Sequence, residues 1–76
     1  LKVYPTLVSS FITIQAAEAV NNAIISVADI SGRKLMIKKA SWINSYPFDV
    51  SGLAKGLYII SVSTPAETVS FKIYKE

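Results

Sequence analysis

Few side chains in this sequence are able to do acid–base, nucleophilic or metal chemistry. The 76 residues include five Asp and Glu, but no His and no Cys. Without an imidazole or a thiol, the sequence excludes a Ser-His-Asp triad, a cysteine nucleophile, a disulfide and a zinc site of the Cys/His type. Catalysis or metal binding would therefore have to rest on carboxylates.

Two of these carboxylates stand in a short internal repeat. The segments Asp29–Gly32 and Asp49–Gly52 both have the order Asp, β-branched residue, Ser, Gly, at a spacing of 20 residues. Asp accepts backbone hydrogen bonds in an Asx turn, and Gly adopts positive φ where a chain reverses. The functional alternative is a calcium site or an acid and base pair, but no further oxygen ligands follow at a regular spacing. We therefore predict that Asp29, Gly32, Asp49 and Gly52 form turns, and that neither aspartate binds a metal.

The basic residues give a net charge of +3. Lys34, Lys38 and Lys39 lie in or beside one predicted strand, and Lys72 and Lys75 lie in the last one. An RNA-binding domain of the RRM or OB type would combine such a basic face with aromatic residues in recognisable strand motifs, and none is present. Lysines on edge strands also prevent sheets from aggregating. We expect no nucleic-acid partner.

Composition indicates one small folded domain over residues 1–76. The sequence is 51% hydrophobic and 17% charged, which is too apolar for a disordered chain. No segment has the roughly 18 consecutive apolar residues that a membrane span needs, so we expect no direct membrane insertion. A thin core leaves little room for an enclosed active site, and we expect an accessory module without a cofactor rather than an enzyme. The first residues do not resemble a signal peptide, so we expect the chain to be excised from a longer protein.

The dominant hydrophobic period is two, which is typical of half-buried β-strands. Only residues 16–20 have the composition of a helix, and that segment is too short to be stable alone. Several short strands separated by turn signals predict two antiparallel sheets packed face to face. The seven predicted strands are residues 2–4, 11–17, 23–30, 34–40, 45–49, 57–63 and 68–74.

The alternation also predicts which side chains face the core. The residues expected to be largely buried are Ile12, Ile14, Tyr58, Ile60, Val62, Val69, Phe71 and Ile73. The aromatic residues Trp42 and Phe48 are expected in or at the edge of the core, as are Tyr58 and Phe71, since aromatic side chains dominate small cores. Exposure of Trp42 together with Tyr46 would instead favour a fibronectin-like or carbohydrate-binding accessory module.

Four segments of the sequence have characteristic residues: Val3–Pro5, Val27–Arg33, Asp49–Ile59 and Phe71–Glu76. Together they resemble the type A C-terminal sorting domain of the type IX (Por) secretion system. The most specific of the similar residues are Leu-Ala-Lys-Gly-Leu-Tyr at Leu53–Tyr58, which lead into a strand. The sequence departs from the family at its start, where Tyr-Pro-Asn-Pro is usual and Tyr4-Pro5 is followed by Thr6-Leu7.

The resemblance implies an Ig-like β-sandwich that acts as a signal and not as an enzyme. Such domains occur in secreted or surface-anchored proteins of Bacteroidota. They direct a folded cargo from the periplasm across the outer membrane, and a sortase at the cell surface then removes them. The implied partners are the type IX translocon, an outer-membrane shuttle protein and the sortase.

The resemblance also implies which residues are recognised. Gly56 and Tyr58 resemble the Gly-x-Tyr motif of the family, and Lys72 and Lys75 resemble its basic C-terminal motif; Asp29 and Gly32 resemble its Asp-x-x-Gly motif. We expect the last strand, which ends at Glu76, to offer backbone groups for strand addition by a partner. Lys72 and Lys75 are expected to supply charge from exposed positions. For Gly56 and Tyr58 a purely structural role, in a tight turn and in the core, is the alternative.

Overall fold

The computed structural model describes residues 1–76 as eight β-strands with no helix. Because the chain forms no helix, it has none that is long and apolar enough to cross a membrane. The predicted all-β class is confirmed. The strands are β1 Lys2–Tyr4, β2 Leu7–Val8, β3 Phe11–Gln15, β4 Val20–Asp29, β5 Lys34–Trp42, β6 Ser45–Asp49, β7 Gly56–Ser63 and β8 Thr68–Lys75.

The strands form two sheets of unequal size that pack as a sandwich. The small sheet has the order β1-β3-β6, and the large sheet has the order β2-β8-β7-β4-β5. All neighbouring strands are antiparallel except β2 and β8, which run parallel. The architecture is compatible with the Ig-like sandwich that the sequence predicts.

The structure differs most from the predicted strands where the alternating pattern is interrupted, and β3 and β5 also end two residues away from their predicted ends. Strand β2 was not predicted, because two residues are too few to show a period. Strand β4 begins at Val20 rather than at residue 23. The β4–β5 register shifts between Val20 and Ala23, and this irregularity breaks the alternation on which the prediction rests. Asn22, which lies in this irregularity, has a φ of 57°.

The core lies between the inward faces of the two sheets. Of the predicted core residues, Val69 and Phe71 are only half-buried, although both pack against the core. They are less buried than the other six, because no strand covers the side of β8 beside them. The other six are buried, as are Trp42 and Phe48. The buried hydrophobic residues are Val3, Val8, Ile12, Ile14, Val20, Ala23, Ile25, Val27, Trp42, Phe48, Val50, Tyr58, Ile60, Val62 and Ile73.

The loss of stability on removing one methyl group should be larger on the inward face of a strand than on its outward face. Ile60 is fully buried, whereas Ile37 on β5 is 63% exposed. We expect Ile60→Val to lower the free energy of unfolding by about 1 kcal/mol, through lost burial and a small cavity. The matched control Ile37→Val is expected to change it by less than about 0.5 kcal/mol. Urea unfolding followed by circular dichroism measures both, and equal effects would contradict the assigned faces.

Candidate functional site

The Gly-x-Tyr motif begins β7 and closes the connection from β6. The Tyr58 hydroxyl donates a hydrogen bond of 2.6 Å to the Ala54 carbonyl oxygen, four residues earlier in the chain. The Tyr58 ring is buried in the core. This arrangement, in which a buried tyrosine reaches back to the preceding backbone at a corner of the sandwich, is that of a tyrosine corner. The Leu53 amide also donates to the Val50 carbonyl oxygen at 3.0 Å, so the connection is hydrogen-bonded at both ends.

Gly56 has a backbone conformation that favours glycine. Its φ is +151°, and no atom lies within 4 Å of the position that a Cβ would occupy. A side chain there would therefore be strained by the backbone angle and not by crowding. Gly32 also has a positive φ, of +91°, whereas Gly52 does not. The two turns of the repeat therefore differ in the backbone conformation of their glycines.

The Asp29 carboxylate organises the turn between β4 and β5. Its Oδ1 atom accepts hydrogen bonds from the Ser31 and Arg33 amides, both at 3.0 Å, and from the Ser31 hydroxyl at 2.6 Å. Its Oδ2 atom lies 3.3 Å from the Arg33 Nε atom. The hydrogen bond from the Ser31 hydroxyl lowers the pKa of Asp29 most strongly; partial desolvation opposes it, and the two amides and the Arg33 charge add to it.

The Asp49 carboxylate plays a similar but smaller part in the second turn. Its Oδ1 atom accepts a hydrogen bond of 2.8 Å from the Ser51 amide. The Ser51 hydroxyl, followed by this amide, lowers the pKa of Asp49. Local turn hydrogen bonds are therefore present at both aspartates of the repeat. No group of three or more His, Cys, Asp or Glu residues lies close enough together to hold a metal ion.

Strand register brings most of the motif residues to one end of the large sheet. Asp29 at the end of β4 pairs with Tyr58, and Gly56 pairs with Lys75 on the other side of β7. Lys75 in turn pairs with Val8 of β2. Asp29, Gly56, Tyr58 and Lys75 thus lie near one another although they are far apart in sequence.

The two lysines of the basic motif point to opposite faces of β8. Lys72 is exposed on the outer face, opposite Ile59. Lys75 is only 7% exposed, and its Nζ atom donates a hydrogen bond of 2.9 Å to the Glu76 main-chain oxygen. The expectation that both lysines are exposed was wrong for Lys75. Its position follows that of Ile73 by two residues, so it shares the inward face, where its aliphatic stem is buried.

Trp42 and Tyr46 do not form an exposed aromatic row. The Trp42 and Tyr46 rings stack with their centroids 5.2 Å apart and their planes 30° apart. Trp42 is only 8% exposed, and Tyr46 is half-buried. The exposure of these two residues that would favour a carbohydrate-binding module is not found.

The fold and the motif residues define a small two-sheet β-sandwich in which the distinctive side chains form turns, a corner and a strand end. The family of secretion system C-terminal sorting domains has a model that matches residues 2–76. The chain belongs to this family, which is the sorting-domain family of the type IX secretion system, as its sequence motifs predict. No curated protein and no solved structure matches the chain.

The hydroxyl group of Tyr58 can be removed without loss of its ring. We expect Tyr58→Phe to lower the free energy of unfolding by about 1 kcal/mol, because the Ala54 carbonyl oxygen loses its donor. Tyr74→Phe is the matched control, since Tyr74 is more exposed, at 37%. Chemical denaturation of both variants tests the corner, and a loss as large in Tyr74→Phe as in Tyr58→Phe would contradict it.

The two turn aspartates make stability depend on pH in acid. A carboxyl whose folded pKa lies below its ordinary value of 3.8 contributes stability above that value, and the contribution is lost as the pH falls through the folded pKa. We expect the double variant Asp29→Asn, Asp49→Asn to lose less of its free energy of unfolding than the parent between neutral pH and about pH 2.5. Urea unfolding midpoints across this range measure the difference.

Glu18→Gln is the control for this comparison, because the Glu18 carboxylate is exposed and accepts no hydrogen bond from the chain. We expect its midpoints to fall with pH as those of the parent do. A double variant that lost as much stability in acid as the parent would show that the turn hydrogen bonds are not the source of the acid sensitivity.

Proposed function

We propose that this chain is the sorting domain of a larger exported protein. In this proposal it directs a folded cargo from the periplasm across the outer membrane, and a surface sortase then removes it. The family match over residues 2–76 is the observation that carries the proposal. A sorting domain of this family implies a cargo that is exported to the cell surface or secreted.

The proposal assigns the domain a binding role rather than a chemical one. The carboxylates of the Asp-x-Ser-Gly repeat are occupied in turns, by hydrogen bonds of 2.6 to 3.0 Å at Asp29 and of 2.8 Å at Asp49. The Tyr58 hydroxyl donates its hydrogen bond to the Ala54 carbonyl oxygen within the domain. These residues present a shape to the translocon, the shuttle protein and the sortase.

The backbone at the very end of β8 is already occupied. The Tyr74 amide donates to the Thr6 carbonyl oxygen at 2.7 Å, and the Glu76 amide donates to the Val8 carbonyl oxygen at 2.8 Å. The expectation that the end of the last strand offers its backbone to a partner was therefore wrong for these two amides. Recognition of Glu76 at this end therefore uses its side chain rather than its amide.

We infer different roles for the proposed recognition residues from their burial. Lys72 is exposed and offers a charge to the partner. Gly56, Tyr58 and Lys75 act through the folded shape, because Gly56 sets the backbone and the other two are buried. Loss of export on changing any of these three is expected to accompany loss of stability.

A reporter fusion in a bacterium with a type IX system tests the proposal. The reporter carries a signal peptide at its N-terminus and this chain at its C-terminus, and the measured quantity is the fraction of reporter at the surface or in the medium. We expect export with the chain and periplasmic retention without it. Equal retention of both fusions would overturn the proposed function.

Three lysine variants distinguish the effect of lost charge on export from the effect of lost stability in the same assay. We expect Lys72→Ala to reduce export while leaving the unfolding midpoint within error, since surface changes cost less than about 0.5 kcal/mol. Lys75→Met removes the charge but keeps the buried stem, and we expect export close to that of the parent. Lys75→Ala is the control for lost packing, with a lowered midpoint. Parent-level export by Lys72→Ala would show that this charge is not read.

A further inference from the structure

The free side of β8 is divided into a covered and an open part. Strand β2 pairs only with Tyr74 and Lys75, at the C-terminal end of β8. No strand lies beside the segment Thr68–Lys72 on the side opposite β7. The large sheet therefore has an open edge of five residues within a strand whose end is covered.

The direction of the backbone groups on this edge follows from the hydrogen bonds to the β2 segment. The Tyr74 and Glu76 amides point away from β7, towards Thr6 and Val8. Backbone groups alternate sides along a strand, so the residues two, four and six positions before Tyr74 point the same way. The amides and carbonyls of Thr68, Ser70 and Lys72 therefore face out of the sheet.

The core is also incompletely covered along the same segment. Val69 and Phe71 face inward and pair with Val62 and Ile60 of β7. The two β7 residues are 0% exposed, whereas Val69 and Phe71 are only half-buried. An additional strand on the open edge would bury apolar surface of Val69 and Phe71 as well as pair the backbone.

The edge strands β5 and β6 carry features that oppose strand addition. On β5, Lys38 pairs with the buried Ile25 and so places a charge on the inward face, and the register shifts near both ends of the strand. On β6, Pro47 lies in the middle of the strand and lacks an amide hydrogen. Inward charges, irregular pairing and proline are the usual protections of an edge. The segment Thr68–Lys72 has no proline, no register shift and no inward charge.

We propose that the open edge of β8, Thr68–Lys72, accepts an extended strand from the export component that reads this sorting domain. The inference rests on the proposed function and names the surface and the kind of partner. Backbone hydrogen bonds to Thr68, Ser70 and Lys72 hold the added strand. Its inward side chains are apolar, to contact Val69 and Phe71, and an acidic residue on its outer face meets the exposed Lys72.

A proline at the centre of the open edge tests the proposal. Ser70→Pro replaces the outward amide hydrogen by a ring that also blocks a neighbouring strand, while the bonds between β7 and β8 at Val69 and Phe71 are kept. The substitution also removes the Ser70 hydroxyl, which lies 3.1 Å from that of Ser61. Ser70→Ala is therefore the matched control, because it loses the hydroxyl and keeps the amide.

Export of the reporter fusion is measured for the parent, Ser70→Pro and Ser70→Ala, after cooperative unfolding has been verified for each. We expect Ser70→Pro to reduce the exported fraction by about tenfold or more, and Ser70→Ala to export like the parent. Parent-level export by a folded Ser70→Pro would overturn the inference and leave the proposed function intact. Failure of the parent itself to be exported would instead overturn the proposed function.

Thr68→Pro gives a second variant should Ser70→Pro fail to unfold cooperatively, since its amide lies on the same open edge. Analytical ultracentrifugation of the purified fusion decides between a partner and a second copy of this chain. We expect a monomer for the parent. A dimer that Ser70→Pro or Thr68→Pro dissociates would overturn the proposal, because the occupant of the edge would then be this chain itself.

Discussion

Burial of β-branched side chains between two unequal sheets is the interaction on which the rest of this structure depends. The largest fully buried side chains are all Ile or Val, drawn from both sheets and from the β6–β7 connection. Branching at Cβ favours the extended backbone, and the same side chains fill the space between the sheets. Since the chain has no cysteine, no disulfide supplements this packing. The same Ile and Val residues therefore favour the strands and form the core.

The polar motifs fix how the strands that supply this core are connected. The Asp29 carboxylate holds the β4–β5 turn through two amides and a hydroxyl, and the Tyr58 hydroxyl holds the β6–β7 corner. Both positions lie at the same end of the large sheet because Asp29 pairs with Tyr58. Most of the motif residues that characterise the family are thus structural neighbours. A partner that binds this end would contact a surface whose shape depends on both connections.

The parts of the fold that follow from alternation could be predicted from the sequence, and the parts that interrupt it could not. The inward faces of β3 and β7 and the position of Ile73 agree with the pattern. Strand β2 has two residues and shows no period, and its parallel pairing with β8 is a long-range choice that local sequence does not encode. The alternating period places Lys75 on the inward face of β8, as in the structure. The prediction that it is exposed was wrong because it rested on the charge of the side chain and not on the period. The family could be predicted from the resemblance of the motifs, but not from the hydrophobic period.

The parallel pairing of β2 with β8 has a consequence for when the domain becomes folded. Leu7 pairs with Tyr74, so residues close to opposite ends of the chain must meet before the large sheet is complete. Such non-local pairing raises contact order, and it requires nearly the whole chain to be available. A nascent chain that has not yet reached β8 lacks the partner of both β2 and β7. The sandwich is therefore complete only when every strand from β1 to β8 is present, and a domain cut short before β8 leaves β2 and one side of β7 unpaired.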